Sequence, residues 1–294
     1  MSQQTLDKPV RHGARPGGAS HGAARGRSGG AAADRRTKPV VGERARTNVL
    51  RAASVLALLA AWEVYGRATD PVLFTHPTAV ARAGWDMTLD GSLPRALGQS
   101  LGVLAIGMAL GVAAGIALGV LAGRSRIAAA LMDVPTIALY ATPMVALVPV
   151  LVLWFGFGLE AKVVVVFLFT IFPVLINTAT GVRETDAHLE EVAHSFCSSE
   201  AQMWRDLILP SALPFIVTGI RIAIGRALVG IVVAEFYTAL AGLGFVIVAN
   251  ANQFRTDRVM VPVVVLMVLG VLLTKAVEAL ERRLSPWSAR RATA

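Results

Sequence analysis

Cysteine occurs once in the 294 residues, at Cys197. No internal disulfide and no Cys-rich metal site can be built from it. The five histidines are mostly scattered and offer no clustered ligand set, so no metal is expected. Charge is scarce too. Asp, Glu, Lys and Arg make up 16% of the chain, where an ordinary soluble domain carries about 25%. Apolar residues take their place, at 55%, with a mean hydropathy of +0.61. This balance argues against a soluble enzyme, a disordered chain and a coiled coil. It points to a polytopic, all-α integral membrane protein.

The few charges are unbalanced, giving a net charge of +9. They do not form a basic face on a folded domain, so nucleic acid is not an expected partner. They sit in an N-terminal tail and between apolar runs, which reads as a topology signal facing anionic lipid. Residues 1 to 46 are rich in Gly, Ala, Arg and Ser with few large apolar side chains. Such a tail is expected to be disordered, because it cannot bury enough surface to offset its ordering entropy. It is too long and basic for a secretory leader, so the first apolar run is not expected to be a cleaved signal.

Residues 47–294 form the expected membrane domain, with six apolar runs near the ~20 residues that cross ~30 Å of hydrocarbon. They cover roughly Val49–Tyr65, Leu97–Ala122, Ile127–Trp154, Val163–Thr180, Leu213–Tyr237 and Val259–Leu280. Six spans place both ends on one side. That side carries the tail, Arg124, Arg126, the segment Arg183–Pro210 and the C-terminal Arg282, Arg283, Arg290 and Arg291. The other carries Arg67, Arg82, Arg95, Lys162, Arg255 and Arg258. The richer side is expected to be cytoplasmic, with both termini there; the Arg-containing outer loop 66–96 is the exception within that pattern.

Run two places Gly107, Gly111, Gly115, Gly119 and Gly123 at every fourth position. Successive members drift by about 40° around a helix, so they form an inclined groove into which another backbone can settle. Run three contains Pro135, Pro143 and Pro149. Each removes a backbone donor and bends the helix, either to line a pathway or simply for packing.

The connection between runs four and five, about 183–210, is longer than a reversal of direction needs. Ala193, Phe196, Met203, Trp204, Leu207 and Ile208 recur at helical spacing, and Cys197-Ser198-Ser199 favours a break. Two short amphipathic helices ended by Pro210 are expected, with an apolar stripe that wants a partner surface. Here the chain resembles a family. Glu191, Ala193, position 197, Leu207 and Leu209-Pro210 match the spacing of the EAA loop of bacterial ABC importer permeases, the binding-protein-dependent type. Further segments resemble the nitrate/sulfonate/taurine branch: Pro143–Pro149, Leu153-Trp154-Phe155-Gly156-Phe157-Gly158, Phe172-Pro173, Asn177-Thr178, Gly181-Val182, Leu213-Pro214, Gly219-Ile220-Arg221, Val233-Ala234-Glu235, Gly242-Leu243-Gly244-Phe245 and Thr256-Asp257. The resemblance runs over about 47–287, with the family core at about 93–283.

The resemblance implies a type I importer permease fold: six transmembrane helices and two short coupling helices. It implies that Glu190, Glu191, Ala193, Cys197, Leu207, Leu209 and Pro210 couple to a dimeric cytosolic ATP-binding subunit. It also implies a periplasmic or lipid-anchored solute-binding protein, a second permease copy, and alternating access in the inner membrane. The solute would be a small anion, alkanesulfonate or taurine ahead of nitrate, in a branch that also includes importers of cationic or neutral vitamin precursors. The chain has no G-x-x-x-x-G-K-[ST] loop, so ATP-Mg would sit on another polypeptide, with no enzyme activity or cofactor here. Cys197 stands where the family has a turn glycine. A left-handed backbone there would strain cysteine by ~1 kcal/mol.

Ionisable groups in spans are costly and usually face a bundle interior or an aqueous cavity. Arg226 and Glu235 are candidates for the translocation path, with Tyr140, Thr142, Pro143 and Asn177. A structural role is the competing reading: Arg221 snorkelling to the interface, and Arg226 paired with a carboxylate. Lys162 reads as an interface anchor. An ion-coupled carrier would want buried carboxylates in paired repeats; a membrane docking scaffold would use the 183–210 segment without moving solute.

Overall fold

The computed structural model describes residues 41–284, and the chain divides into two units, 1–51 and 52–294. Residues 1–40 of the expected disordered tail, and Arg290 and Arg291, lie outside the described residues. Residues 41–46, assigned to the tail by composition, are helical. Described elements are helices joined by turns: α1 Val41–Ala68, α2 Pro77–Leu89, α3 Ser92–Arg124, α4 Arg126–Ala141, α5 Met144–Phe155 and α6 Leu159–Arg183. They continue with α7 Ala187–Ser195, α8 Glu200–Met203, α9 Leu209–Thr238, α10 Leu243–Ala251 and α11 Thr256–Leu284.

The glycine stripe organises the bundle. A Cβ added to Gly107, Gly111, Gly115, Gly119 or Gly123 would sit 2.5–2.8 Å from the Cβ of Val166, Thr170, Val174, Thr178 or Val182 respectively. Both series climb by four, so α3 and α6 run parallel with their backbones in close approach. The contact persists along the whole groove because a repeat longer than 3.6 residues stays in register when two helices wind right-handedly. On the other face of α6, Gly181 meets Ala212 and Phe215, Gly219 meets Pro173, and Gly230 meets Phe169. The numbers now run in opposite directions, so α9 is antiparallel to α6. Valines and isoleucines from α3, α6 and α9 fill the space between them: Val103, Val166 and Ile231 are all buried.

This register decides the path of residues 125–158. Parallel α3 and α6 require the intervening chain to return across the bundle. The segment expected as one proline-bent span is two helices whose axes differ by 97°. Of the three prolines only Pro143 lies at the break; Pro135 and Pro149 stay inside α4 and α5. Pro143 forces the residue before it into extended backbone, and Thr142 has φ −65° and ψ 134°. With 16 and 12 residues rising about 1.5 Å each, the bent pair spans roughly 28 Å between its ends. That is close to the hydrocarbon thickness of ~30 Å. Counted as one span, it raises the candidate spans among the described residues from five to six.

Two short helices were not anticipated. The loop 66–96 holds α2, started by His76, whose Nδ1 accepts from the Ala79 amide, and by Pro77. Val80, Ala83 and Met87 bury one face of α2 against Val261 of α11. α10 occupies the connection between α9 and α11. Arg124, Arg126 and Arg183 cluster where α3 and α6 finish, which makes that the basic end of the bundle; the opposite end is the far end.

Replacing Gly115 by Leu should destabilise the protein by about 1–3 kcal/mol, since the close approach leaves no room for a side chain. Gly98→Ala should stabilise the helix by about 0.5–1 kcal/mol, because nothing lies within 4 Å of an added Cβ there. Thermal unfolding in detergent distinguishes the two.

Candidate functional site

The segment after α6 is built from local signals. Asp186 caps α7 by accepting from the His188 amide. α7 ends where Ser198 N–H donates to Ala193 C=O (3.1 Å) and Cys197 N–H to His194 C=O (2.9 Å). These are the paired bonds of a Schellman cap, whose second residue past the last turn is left-handed. Cys197 has φ 54°, so the turn keeps a conformation suited to glycine and cysteine bears the strain. The Cys197 side chain is exposed. Ser199 and Gln202 then form a capping box that starts α8.

The second expected short helix is not separate. Residues 200–238 form one helical piece, in which Trp204–Ile208 widen into a π turn before Pro210. Pro210 cannot return an N–H to the preceding turn, and its ring presses on that turn; the wider turn takes up the mismatch. Met203 and Ile208 are buried with Val182, Ala212 and Ile216, so that part of the apolar stripe faces its own bundle. α7 buries nothing. Leu189, Val192 and Phe196 lie along one stripe of it and are exposed, Phe196 at 82%. Glu191, Cys197 and Leu209 are exposed too, whereas Ala193 is half-buried. Glu190 lines a cleft with Arg124, Arg126 and Arg183. Leu207 and Pro210 line a groove beside Leu189. Sequence reasoning missed the braces around this segment: Arg124–Glu200 at 3.3 Å and Arg183–Asp133 at 3.5 Å. Their partners are 50 or more residues apart, so local pattern carries no trace of them.

A cavity of about 440 Å³ lies between α4, α5, α6 and α9. It collects three of the candidate path residues, Tyr140, Thr142 and Arg226. The Arg226 guanidinium lies 4.2 Å from the Tyr140 ring centroid, and its Nη2 donates to the Tyr140 hydroxyl at 2.8 Å. The carboxylate partner expected in the structural reading is not found; among the described residues no ion pair includes Arg226. Arg221 instead pairs with Glu281 of α11 at 2.7 Å. Pro143 sits beside the cavity in sequence, while Asn177 lies against Gly219 and donates to the Pro173 carbonyl.

Glu235 does not line this cavity. It is 1% exposed at the far end, where Ser100 Oγ and the Gly244 amide each donate to its carboxylate at 2.7 Å. The Leu243 amide donates to Ser100 Oγ at 2.8 Å. Gly242, at φ 107°, leaves room for the Glu235 carboxylate, which a Cβ there would strike. Lys162, expected as an interface anchor, is buried and donates to the Ala241 carbonyl at 2.9 Å. These bonds tie α3, α6 and α9 to the start of α10. Placing Glu235 in the path rested on the cost of a charge in a span, and hydrogen bonds meet that cost here.

The family model described as "Binding-protein-dependent transport system inner membrane component" matches residues 111–286, more than half of the chain. The chain belongs to that family. The formylaminopyrimidine transport permease ThiX of Halalkalibacterium halodurans is 32% identical over 79% of this chain and 93% of its own length. A protein of Bacillus subtilis named as an aliphatic sulfonates transport permease, SsuC, is 35% identical over 78% and 84%. Its namesake in Escherichia coli is 37% identical over 74% and 82%. This permease is therefore a multi-pass transport component of the ABC importer class. The matched region begins inside α3 and contains both the segment 183–210 and the Arg226 cavity; α1 and α2 lie outside it.

In this permease Glu235→Ala should cost about 2–5 kcal/mol, since the buried Ser100 hydroxyl and Gly244 amide lose their acceptor; Glu235→Gln should recover much of that in thermal unfolding. Cys197→Gly should relieve up to ~1 kcal/mol of turn strain and slow hydrogen exchange at the Ser198 amide, while Cys197→Val should speed it.

Proposed function

We propose that this permease is the membrane half of an ATP-driven importer for a small anion, alkanesulfonate or taurine ahead of nitrate. Two copies form the pathway. A dimer of separate ATP-binding subunits, carrying ATP-Mg, docks at the basic end, which is cytoplasmic and holds both termini. A periplasmic or lipid-anchored solute-binding protein delivers solute at the far end in the inner membrane. The observation that carries the reading is α7. It offers an exposed apolar stripe, Leu189, Val192 and Phe196, on a segment otherwise keyed into the bundle by Met203 and Ile208. Apolar surface held outward on a rigid base is what a partner-driven lever requires.

The chemistry of the solute is supported by Arg226, a cation facing an apolar cavity without a paired carboxylate among the described residues. The sulfonate permeases among the relatives agree with an anion. An ion-coupled carrier is disfavoured because Glu235 is sealed in hydrogen bonds rather than open to a path. On the importer reading, ATP-driven closure of the partner subunits moves α7. The motion passes into α9 through a helix unbroken from residue 200 to 238, and access switches from one end to the other.

Phe196→Asp tests the docking. Its side chain is 82% exposed, so the permease should keep its thermal stability within about 0.5 kcal/mol. Co-purification of the ATP-binding subunit should fall at least tenfold, and ATP-dependent uptake in proteoliposomes should fall with it. Glu191→Arg should uncouple uptake in the same assay. Undiminished co-purification by the Phe196 variant would sink the reading.

A further inference from the structure

The geometry points to the Arg226 cavity as a subsite for an organic anion with an apolar tail: one oxyanion headgroup on Arg226, and the tail lying along Phe169 and Phe172 over Gly225. The assignment rests on the importer reading and narrows its solute class against inorganic oxyanions.

Depth comes first. On α6 the neighbours of this part of α9 are Pro173 beside Gly219 and Phe169 beside Gly230, near the midpoint of Leu159–Arg183. A cation is costly at mid-depth and is retained there for a use. Lys162 and Arg221 are matched by a carbonyl and by Glu281. Arg226 has only Tyr140, which accepts from one of its five N–H donors. A phenol hydroxyl and ring face hold a guanidinium more weakly than a carboxylate does, so an arriving oxyanion can take over the contact.

The walls then select the tail behind the headgroup. Of the lining side chains only Tyr140, Thr142 and Arg226 are polar. The Thr142 hydroxyl already donates to the Ala138 carbonyl at 2.8 Å. All the charge recognition is thus at one point of a cavity of about 440 Å³, within the ~300–1,000 Å³ typical of organic ligands. Nitrate has no apolar part to set against these walls, so only the contact with Arg226 would favour it. A sulfonate or carboxylate with a hydrocarbon tail loses water mainly where the walls are apolar. Gly225 lines the cavity, and an added Cβ meets nothing within 4 Å; the absent side chain is tail space.

The test uses the full-length permease in nanodiscs of zwitterionic lipid, with empty nanodiscs as reference. The probes are methane-, butane- and hexanesulfonate, nitrate, and hexyltrimethylammonium. Affinity should rise up to about fourfold per added methylene. Nitrate and the ammonium should bind at least tenfold more weakly than hexanesulfonate. Arg226→Gln should weaken all three sulfonates at least tenfold while keeping the methylene slope. Gly225→Leu, whose Cβ meets nothing within 4 Å, should abolish the gain from butane to hexane and leave methanesulfonate unchanged. A flat chain-length series, nitrate equal to hexanesulfonate, sulfonate affinities untouched by Arg226→Gln, or an equal loss for every probe in Gly225→Leu would each overturn the assignment. Binding here needs neither ATP nor a partner. Failure with ATP-driven uptake intact removes the subsite alone; the expected binding without ATP-driven uptake removes the importer reading alone.

Discussion

The close approach of α3 to α6 along the glycine stripe sets the positions of most of what else is described. In lipid there is no hydrophobic drive between helices, so van der Waals contact at short range must supply the attraction. Five glycines on one helix and the Cβ-branched residues Val166, Thr170, Val174, Thr178 and Val182 on the other provide it. Because the pair is parallel, the chain between has to recross the membrane, and that fixes α4 and α5 as one bent span. The free face of α6 receives α9 through Gly181, Gly219 and Gly230. The cavity is then the space left between the bent pair and the α6–α9 pair.

The two ends of this bundle are finished differently. At the far end, Glu235 and Lys162 are buried, but each is held by short hydrogen bonds that cross between helices. Breaking one partner of such a group is far more costly than the group's net contribution to stability, so the network makes the far ends of α3, α6 and α9 behave as one piece with the start of α10. At the basic end the ion pairs are exposed and longer, and such pairs contribute little. What holds the segment is Met203 and Ile208 in the core. On the proposed reading this asymmetry suits a lever. The end that receives the partner is anchored by apolar packing beneath a free apolar face, and Arg226 sits on the same helix that begins at the anchor.

Much of this was legible in the chain, and the misses share a cause. The long runs α3, α6, α9 and α11 announce themselves because lipid demands continuous apolar stretches. α2 and α10 do not, being only 13 and 9 residues long, yet Val80, Ala83 and Met87 carried the helical spacing of α2 in plain view. Pro135, Pro143 and Pro149 look alike in sequence. Only Pro143 became the break, because α5 packs through Val148, Leu151 and Val152 against α6 and keeps Pro149 within its helix. The stripe through 193–208 was correct in period, but periodicity cannot tell a face turned to a partner from a face turned to the bundle. Here Met203 and Ile208 turned inward and Phe196 outward.

The amino-acid sequence by itself determined the membrane class, the long apolar runs, the glycine groove and the family resemblance carried by 183–210. Those depend on composition, on fixed spacing along one helix or on local backbone geometry, all of which act over a few residues. Tertiary structure alone decided the partners: Tyr140 rather than a carboxylate for Arg226, Ser100 and Gly244 for Glu235, the Ala241 carbonyl for Lys162. An intramembrane charge has to find some partner, but which one depends on which helices are brought side by side, and the α3–α6 register sets that over separations of up to 135 residues.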